Sequence, residues 1–143
     1  MTDIASGLDE HRRRNLSAVE AAFAAIGRGD AEGQLANYVD DLVLEFPFTD
    51  PPKRVEGKDA ALPYLTGAFQ VFRFDLTITD VVACADPDRL VLEAESTGTY
   101  LPTGAPYVNR YVILLTFRDG RIARQREYFD PTQAMRSAGT FPA

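Results

Sequence analysis

The sequence predicts an α+β fold: a cone-like α+β barrel with helices packed on one strongly curved, mainly antiparallel sheet. Helical periodicity is concentrated in the first half of the chain, and the second half reads as four long strand-like runs closed by turn residues. Segregating helices from strands in this way marks an α+β architecture and not alternating βα units. The bulk numbers agree, since 143 residues with 45% apolar and 25% charged side chains describe an ordinary globular chain with one core, taken as a single domain over 1–143.

Each element has its own signal. From Asp9 to Arg28, the residues Leu16, Val19, Phe23 and Ile26 recur at helical spacing, and Gly27 and Gly29 end the run. Asp30 then suits the N-cap of a short second helix with Leu35, Tyr38 and Val39 inward, which Asp40 and Asp41 would terminate. "LVLEFPF" is a short strand stopped by Pro47 and "DPP". A third helix begins near Lys58 or Asp59, with Leu62, Leu65, Phe69 and Phe72 on one face; Pro63 is tolerable only near its first turn. Strands follow over Asp75–Ala85, Leu90–Tyr100, Tyr107–Phe117 and Ile122–Phe129, with Asp119-Gly120 as a tight hairpin turn. Beyond Pro131 a short helical tail, "TQAMRSAG", is expected.

Composition excludes several function classes. The net charge of -6 argues against nucleic acid as a partner, because phosphate binding needs a clustered basic surface. Arg12-Arg13-Arg14 reads as a solvated helix face. Cys84 stands alone, so no internal disulfide can form, and one Cys with one His, His11, makes a transition-metal site improbable. His11 is expected to be exposed. No apolar run suits a signal peptide or a membrane span, so a soluble, cytoplasmic protein is expected. "GRGD" is a helix break and cap, not a phosphate loop. Glu93 and Glu95 alternate with the natural buried face Leu90, Leu92 and Ala94, so both acids should point outward.

The last hairpin locates the candidate chemistry. With Asp119-Gly120 as a two-residue turn, Arg118 faces Arg121, Thr116 faces Ala123, Leu114 faces Gln125 and Val112 faces Glu127. Opposed residues share a face. One face then holds Val112, Leu114, Gln125, Glu127 and Phe129, as a pocket lining would. The other holds Tyr111, Ile113, Leu115, Phe117 and Ile122 beside Arg124 and Arg126, which suits a subunit interface. A bulged turn would change the pairing, yet alternation would still set Glu127 with Gln125 and against Arg126. A carboxylate in an apolar pocket pays desolvation, which raises its pKa toward neutrality and suits proton transfer. A structural Glu bonded to Tyr38, Asn109 or backbone groups, and a surface charge, stay open as alternatives. Phe46, Phe48, Leu65, Phe69 and Phe129 are candidate apolar walls.

The element order, with "GRGDAEGQLANYVDD", "EGKDAALPYL" and the closing hairpin, resembles the nuclear transport factor 2-like, SnoaL-like superfamily over nearly the whole chain. Its ketosteroid isomerase branch carries a base just before a Pro, where this chain has Phe46; its second acid and helical Tyr match Ile113 and Ala22. That chemistry is therefore rejected. "VLEAESTGTY" and "YVNRYVILLTFRDGRIARQREYFDPTQAMRSAG" are similar to the small phenazine-biosynthesis family, where a Glu in an Arg-Glu-aromatic motif acts as an acid. The matching residue is Glu127, while the pocket His of that family has no counterpart. The resemblance also implies homodimers through the sheet and a secondary-metabolism setting.

The resulting expectation is a cofactor-free, dimeric enzyme acting on a small, largely apolar, cyclic or aromatic carbonyl compound. Glu127 would move a proton in an isomerisation, cyclisation or condensation. Gln125 and Asn109 would orient polar atoms. A non-catalytic ligand-binding protein and a structural dimerising partner are the competing expectations.

Overall fold

The computed structural model describes residues 4–138. Its elements run α1 (Glu10–Gly27), α2 (Ala31–Leu35), β1 (Tyr38–Phe46), β2 (Lys53–Glu56), α3 (Lys58–Phe69), β3 (Phe72–Ala83), β4 (Arg89–Tyr100), β5 (Ala105–Arg118), β6 (Arg121–Phe129) and α4 (Pro131–Ala138). The last residue of the expected helical tail, Gly139, lies outside the described residues. Six strands form one sheet in the order β2-β1-β6-β5-β4-β3. All neighbours are antiparallel except β1 and β6, which run parallel.

The helices begin where the caps predict. Asp9 accepts from the Arg12 backbone N–H at 2.8 Å, and Asp30 from that of Gly33 at 2.8 Å. The expected stripe Leu16, Val19, Phe23 and Ile26 is buried. His11 binds Asp88 Oδ1 at 2.6 Å and Asn15 Nδ2 donates to the same atom at 3.1 Å, fastening the start of α1 to the turn before β4. His11 is exposed, as expected, and Glu93 and Glu95 point outward from β4. Arg12 is only partly a surface group: it donates to the Cys84 carbonyl at 2.8 Å and to Asp9.

Three local expectations are corrected. The second helix stops at Leu35, so Tyr38, Asp40 and Asp41 lie in β1 and not at a helix end. Tyr38 pairs with Ile122 of β6, a ladder between distant segments that local periodicity cannot reveal. Phe72 belongs to β3, and β2, a short edge strand of mostly exposed residues, was not foreseen. Pro63 sits in the second turn of α3; the carbonyl it leaves without a donor belongs to exposed Asp59, where solvent can serve it.

The inner face of the sheet is the core. Leu90, Leu92 and Ala94 of β4 and Tyr111, Ile113 and Leu115 of β5 are 5% exposed or less. Each large aliphatic here contributes roughly 1.5–3 kcal/mol by leaving water. Toward the ends of β3, β4 and β5, Gly98 lets Phe72 and Phe74 reach the Tyr107 ring, at centroid distances of 4.6 and 5.6 Å. A Cβ at Gly98 would come within 2.0 Å of the Arg73 carbonyl oxygen, so the close approach of β3 requires glycine.

The β5–β6 hairpin departs from the simple register at one residue. Asp119 and Gly120 have φ of 54° and 77°, as a tight primed turn demands, and Arg118 pairs with Arg121. Phe117 then pairs with Ile122, but Thr116 pairs with Arg124, leaving Ala123 as an extra, unpaired residue. Beyond this bulge Leu115 faces Gln125, Ile113 faces Glu127 and Tyr111 faces Phe129. Strict alternation from buried Ile122 would have sent Arg124 and Arg126 into the core, where unpaired charges are costly. Because Ala123 bulges out of the ladder, both arginines turn outward and Gln125 and Glu127 point in.

Candidate active site

A hollow of about 110 Å³ opens on the inner face of the sheet, between α3 and the ends of the strands. Its wall is mostly apolar. Tyr64, Leu65, Ala68 and Phe69 come from α3, Phe72, Phe74 and Leu76 from β3, Leu44 and Phe46 from β1, and Ile26 from α1. Besides the Tyr64 phenol, three polar side chains interrupt this lining: Gln34 of α2, and Gln125 and Glu127 of β6.

Neighbouring strands explain why these groups converge. Leu44 of β1 pairs with Gln125, so two residues further along each parallel strand Phe46 and Glu127 lie on the same face. The α3 stripe Ala61, Leu65 and Phe69 is buried, and its last two members cover the hollow. Tyr64 stacks on Phe46 with centroids 5.6 Å apart, and Lys53 Nζ lies 5.4 Å from the Tyr64 ring centre.

The polar groups form a chain. Gln125 Nε2 donates to Glu127 Oε1 at 3.5 Å. The Tyr38 hydroxyl donates to Gln125 Oε1, and Gln34 Nε2 donates to the Tyr38 oxygen at 3.3 Å. Burial in apolar surroundings raises the Glu127 pKa from 4.5 to about 7, and the Gln125 hydrogen bond only partly opposes this. Tyr38, Tyr64, Tyr107 and Tyr111 are held as neutral phenols, first by burial and further by the nearby Glu127 charge. Glu127 thus titrates near neutrality beside hydroxyls that do not.

The structure brings together five of the residues singled out from sequence: Phe46, Leu65, Phe69, Gln125 and Glu127. It separates the others from the hollow, each for a physical reason. Val112 and Leu114 fall on the outer face, because the Ala123 bulge shifts the pairing by one; Val112 is 42% exposed. Phe48 follows Pro47 out of β1 and packs edge-on against Tyr128, 53% exposed. Tyr38 is fully buried behind Gln125, with its hydroxyl already committed. Asn109 spends its amide on the end of the sheet: its Nδ2 donates to Tyr107 Oη at 2.9 Å and Asp130 O at 3.0 Å, and its Oδ1 accepts from Asp130 N at 2.9 Å. Phe129 pairs with Tyr111 and packs on the core outside the hollow's wall.

The face expected to form an interface also changes. Tyr111, Ile113, Leu115, Phe117 and Ile122 are core residues. Arg124 and Arg126 do face outward, where Glu45 takes Arg124 Nε at 2.6 Å and Arg126 Nε at 3.6 Å. Gln34 escaped the sequence reading, although it precedes inward Tyr38 by four residues and a helical reading would set both on one face. Among the described residues, no group of three or more His, Cys, Asp and Glu could hold a metal ion, and no helix is long and apolar enough to cross a membrane.

The SnoaL-like domain model matches residues 19–125, from the second half of α1 into β6. The chain belongs to the SnoaL-like domain family. Among its relatives, a PhzA/B-like protein of Pseudomonas aeruginosa is 30% identical over 117 residues, covering 78% of this chain and 80% of the relative. YesE of Bacillus subtilis is 35% identical over 95 residues, covering 64% of this chain and 65% of YesE. In structure, a candidate isomerase of Bacillus subtilis superposes with a TM-score of 0.86 at 26% identity, covering 92% of this chain and 97% of that chain. TerC, co-crystallised with polyporic acid, superposes with a TM-score of 0.76 at 21% identity, covering 88% of this chain and 98% of that chain. The SnoaL-like cone, expected from element order and from "GRGDAEGQLANYVDD", is therefore the fold of this chain, and a small-molecule ligand is found in a protein of the same fold.

Proposed function

We propose that this SnoaL-like protein is a small-molecule enzyme in which Glu127 acts as general acid and base toward an apolar carbonyl compound held in the hollow. The observation that carries this reading is a desolvated carboxyl, poised near pH 7, in the wall of an otherwise apolar cavity. Deprotonated, Glu127 takes a proton from carbon next to the carbonyl. Protonated, it returns that proton elsewhere on the product. The carbonyl oxygen gains negative charge between these steps and needs a neutral donor. The Tyr64 phenol lines the same hollow and stays protonated, so it suits that role. Isomerisation, cyclisation and condensation all share this proton traffic. The candidate isomerase and the polyporic acid complex among its structural relatives support a small organic substrate.

Cavity size narrows the substrate. About 110 Å³ is below the roughly 150 Å³ that accepts a benzene ring in an engineered protein core. A single ring or a short chain therefore fits after slight adjustment of the α3 side chains, and a fused polycycle needs α3 to move.

On the outer face, Val82, Val91 and Leu114 pair in a row across β3, β4 and β5, and Val108 and Val112 are 51% and 42% exposed. A second copy of the chain packing there is part of the same proposal. Sedimentation of wild type and of Val112→Glu tests it, with a concentration-dependent dimer expected only for wild type.

The deciding experiment for catalysis is Glu127→Gln assayed with any compound the wild type converts. Turnover should fall about 10²- to 10⁴-fold with ligand affinity kept. Undiminished turnover would remove Glu127 from the chemistry, and a ligand recovered unchanged from wild type would make the protein a carrier.

A further inference from the structure

The curl of the sheet over the hollow turns on Gly98 of β4. Gly98 follows buried Ser96 by two residues and shares its inner face. Here β3 folds back so closely that a Cβ at position 98 would lie 2.0 Å from the Arg73 carbonyl oxygen, 2.5 Å from Phe74 Cα and 2.6 Å from Phe74 Cβ. The first two are backbone atoms, which cannot swing aside as the tip of a side chain can. The φ of Gly98 is not in the positive range, so this glycine serves the close approach and not a turn. In the ladder Phe74 is the partner of Gly98, and Phe72 that of Tyr100. Phe72, Phe74 and Leu76 are β3's share of the hollow wall, and Tyr107 of β5 backs the two phenylalanine rings. That part of the wall stands where it does because residue 98 has no side chain.

From this geometry we infer that Gly98 is a specificity-determining residue: by letting β3 fold onto β4, it holds Phe72 and Phe74 in the wall and restricts the ligand to a single ring. This rests on the hollow being the ligand site. A methyl group at position 98 would stand inside the bend, so it would widen the angle between β3 and β4. The wider angle draws the Phe72 and Phe74 rings back from the hollow, and a fused pair of rings then fits without displacing α3. The polar lining is carried elsewhere, by Gln34 on α2, Tyr64 on α3, and Gln125 and Glu127 on β6. Residue 98 therefore governs the size of the ligand and leaves the proton-transfer groups in place.

The test uses fluorobenzene and 1-fluoronaphthalene as probes, with dissociation constants from ¹⁹F NMR titration, each corrected for its own partition from water into cyclohexane. Wild type should prefer fluorobenzene. Gly98→Ala, checked for a cooperative melt, should move the ratio of the two constants toward 1-fluoronaphthalene by about tenfold, the discrimination that one methylene typically gives in an apolar pocket. Phe74→Leu keeps Gly98 and removes the ring that Gly98 lets in. It should move the ratio the same way, and it decides the matter if Gly98→Ala fails the melt. A ratio that stays at the wild-type value in either folded variant, or a wild type that already prefers 1-fluoronaphthalene, overturns the inference and leaves the ligand site intact. Binding of neither probe to any of the three proteins overturns the ligand-site reading itself.

Discussion

The inner face of the sheet carries two buried polar networks, one closed and one open. In the closed network Ser96 Oγ lies 2.8 Å from Tyr111 Oη, Tyr111 Oη 3.1 Å from Tyr107 Oη, and Asn109 joins Tyr107 to both backbone groups of Asp130. In the open network Gln34, Tyr38, Gln125 and Glu127 pass bonds in one direction between an unpartnered acceptor and a carboxyl that burial pushes to about 7. Both sit on the same layer of side chains, so burial alone does not separate structure from function. The difference is whether each polar atom finds its partner inside the chain. Where it does, the network fixes β5 to the end of β6; where it does not, Glu127 at one end of the network lines a hollow.

The largest expected effect tests the open network. Glu127 binds its proton near pH 7 when folded and near 4.5 in its ordinary environment, so the folded state holds the proton more tightly between these values. Stability contributed by the protonated form is therefore present at low pH, falls as pH rises from about 4.5 to 7, and stays low above. The ionised form costs roughly 3 kcal/mol. Glu127→Gln should gain about that much at pH 8 and almost nothing at pH 4, measured by urea unfolding at both values. A variant that is less stable than wild type at pH 8 would mean the carboxylate is well paired, erasing the contrast.

The closed network should respond in the opposite sense. Asn109→Ala removes bonds to Tyr107 and to both backbone groups of Asp130, and should cost about 2 kcal/mol at every pH. Gln125→Leu sharpens the contrast further. It removes the hydrogen bond that lowers the Glu127 pKa, so the Glu127 carboxyl resonance should titrate at a higher pH in ¹³C NMR. Smallest is Tyr111→Phe, which should cost about 1 kcal/mol and leave the Glu127 titration where it was. A large shift there would show that the two networks are one.

The sequence carried most of the architecture but only part of the site. Strands β4, β5 and β6 were legible because their inner faces alternate, and α1 because its apolar residues keep helical spacing. The four-residue strand Lys53–Glu56 was not, since it has three charged residues and gains its identity from pairing with β1. Glu127 was legible as opposed to Arg126, although its inward reading itself rested on a face shared with Val112 and Leu114, which point outward. Its opposite residues were not, because the bulged Ala123 carries no sequence signal that separates it from an ordinary strand position. Val112 and Leu114 were misplaced for that single reason. Polarity in a short helix suggests solvent, and only the fold reveals that Gln34 is buried and bonded to Tyr38.

The bulged alanine also bears on how such a cavity can diverge. A strand lacking that residue would run straight past Ile122 and still present Gln125 and Glu127 inward, since Arg124 would simply take the vacated step. Insertion or loss of one small residue at this spot would alter the bend of the wall while leaving its reactive inventory untouched. The sheet thereby has a tuning point at which hollow shape and hollow chemistry are inherited separately.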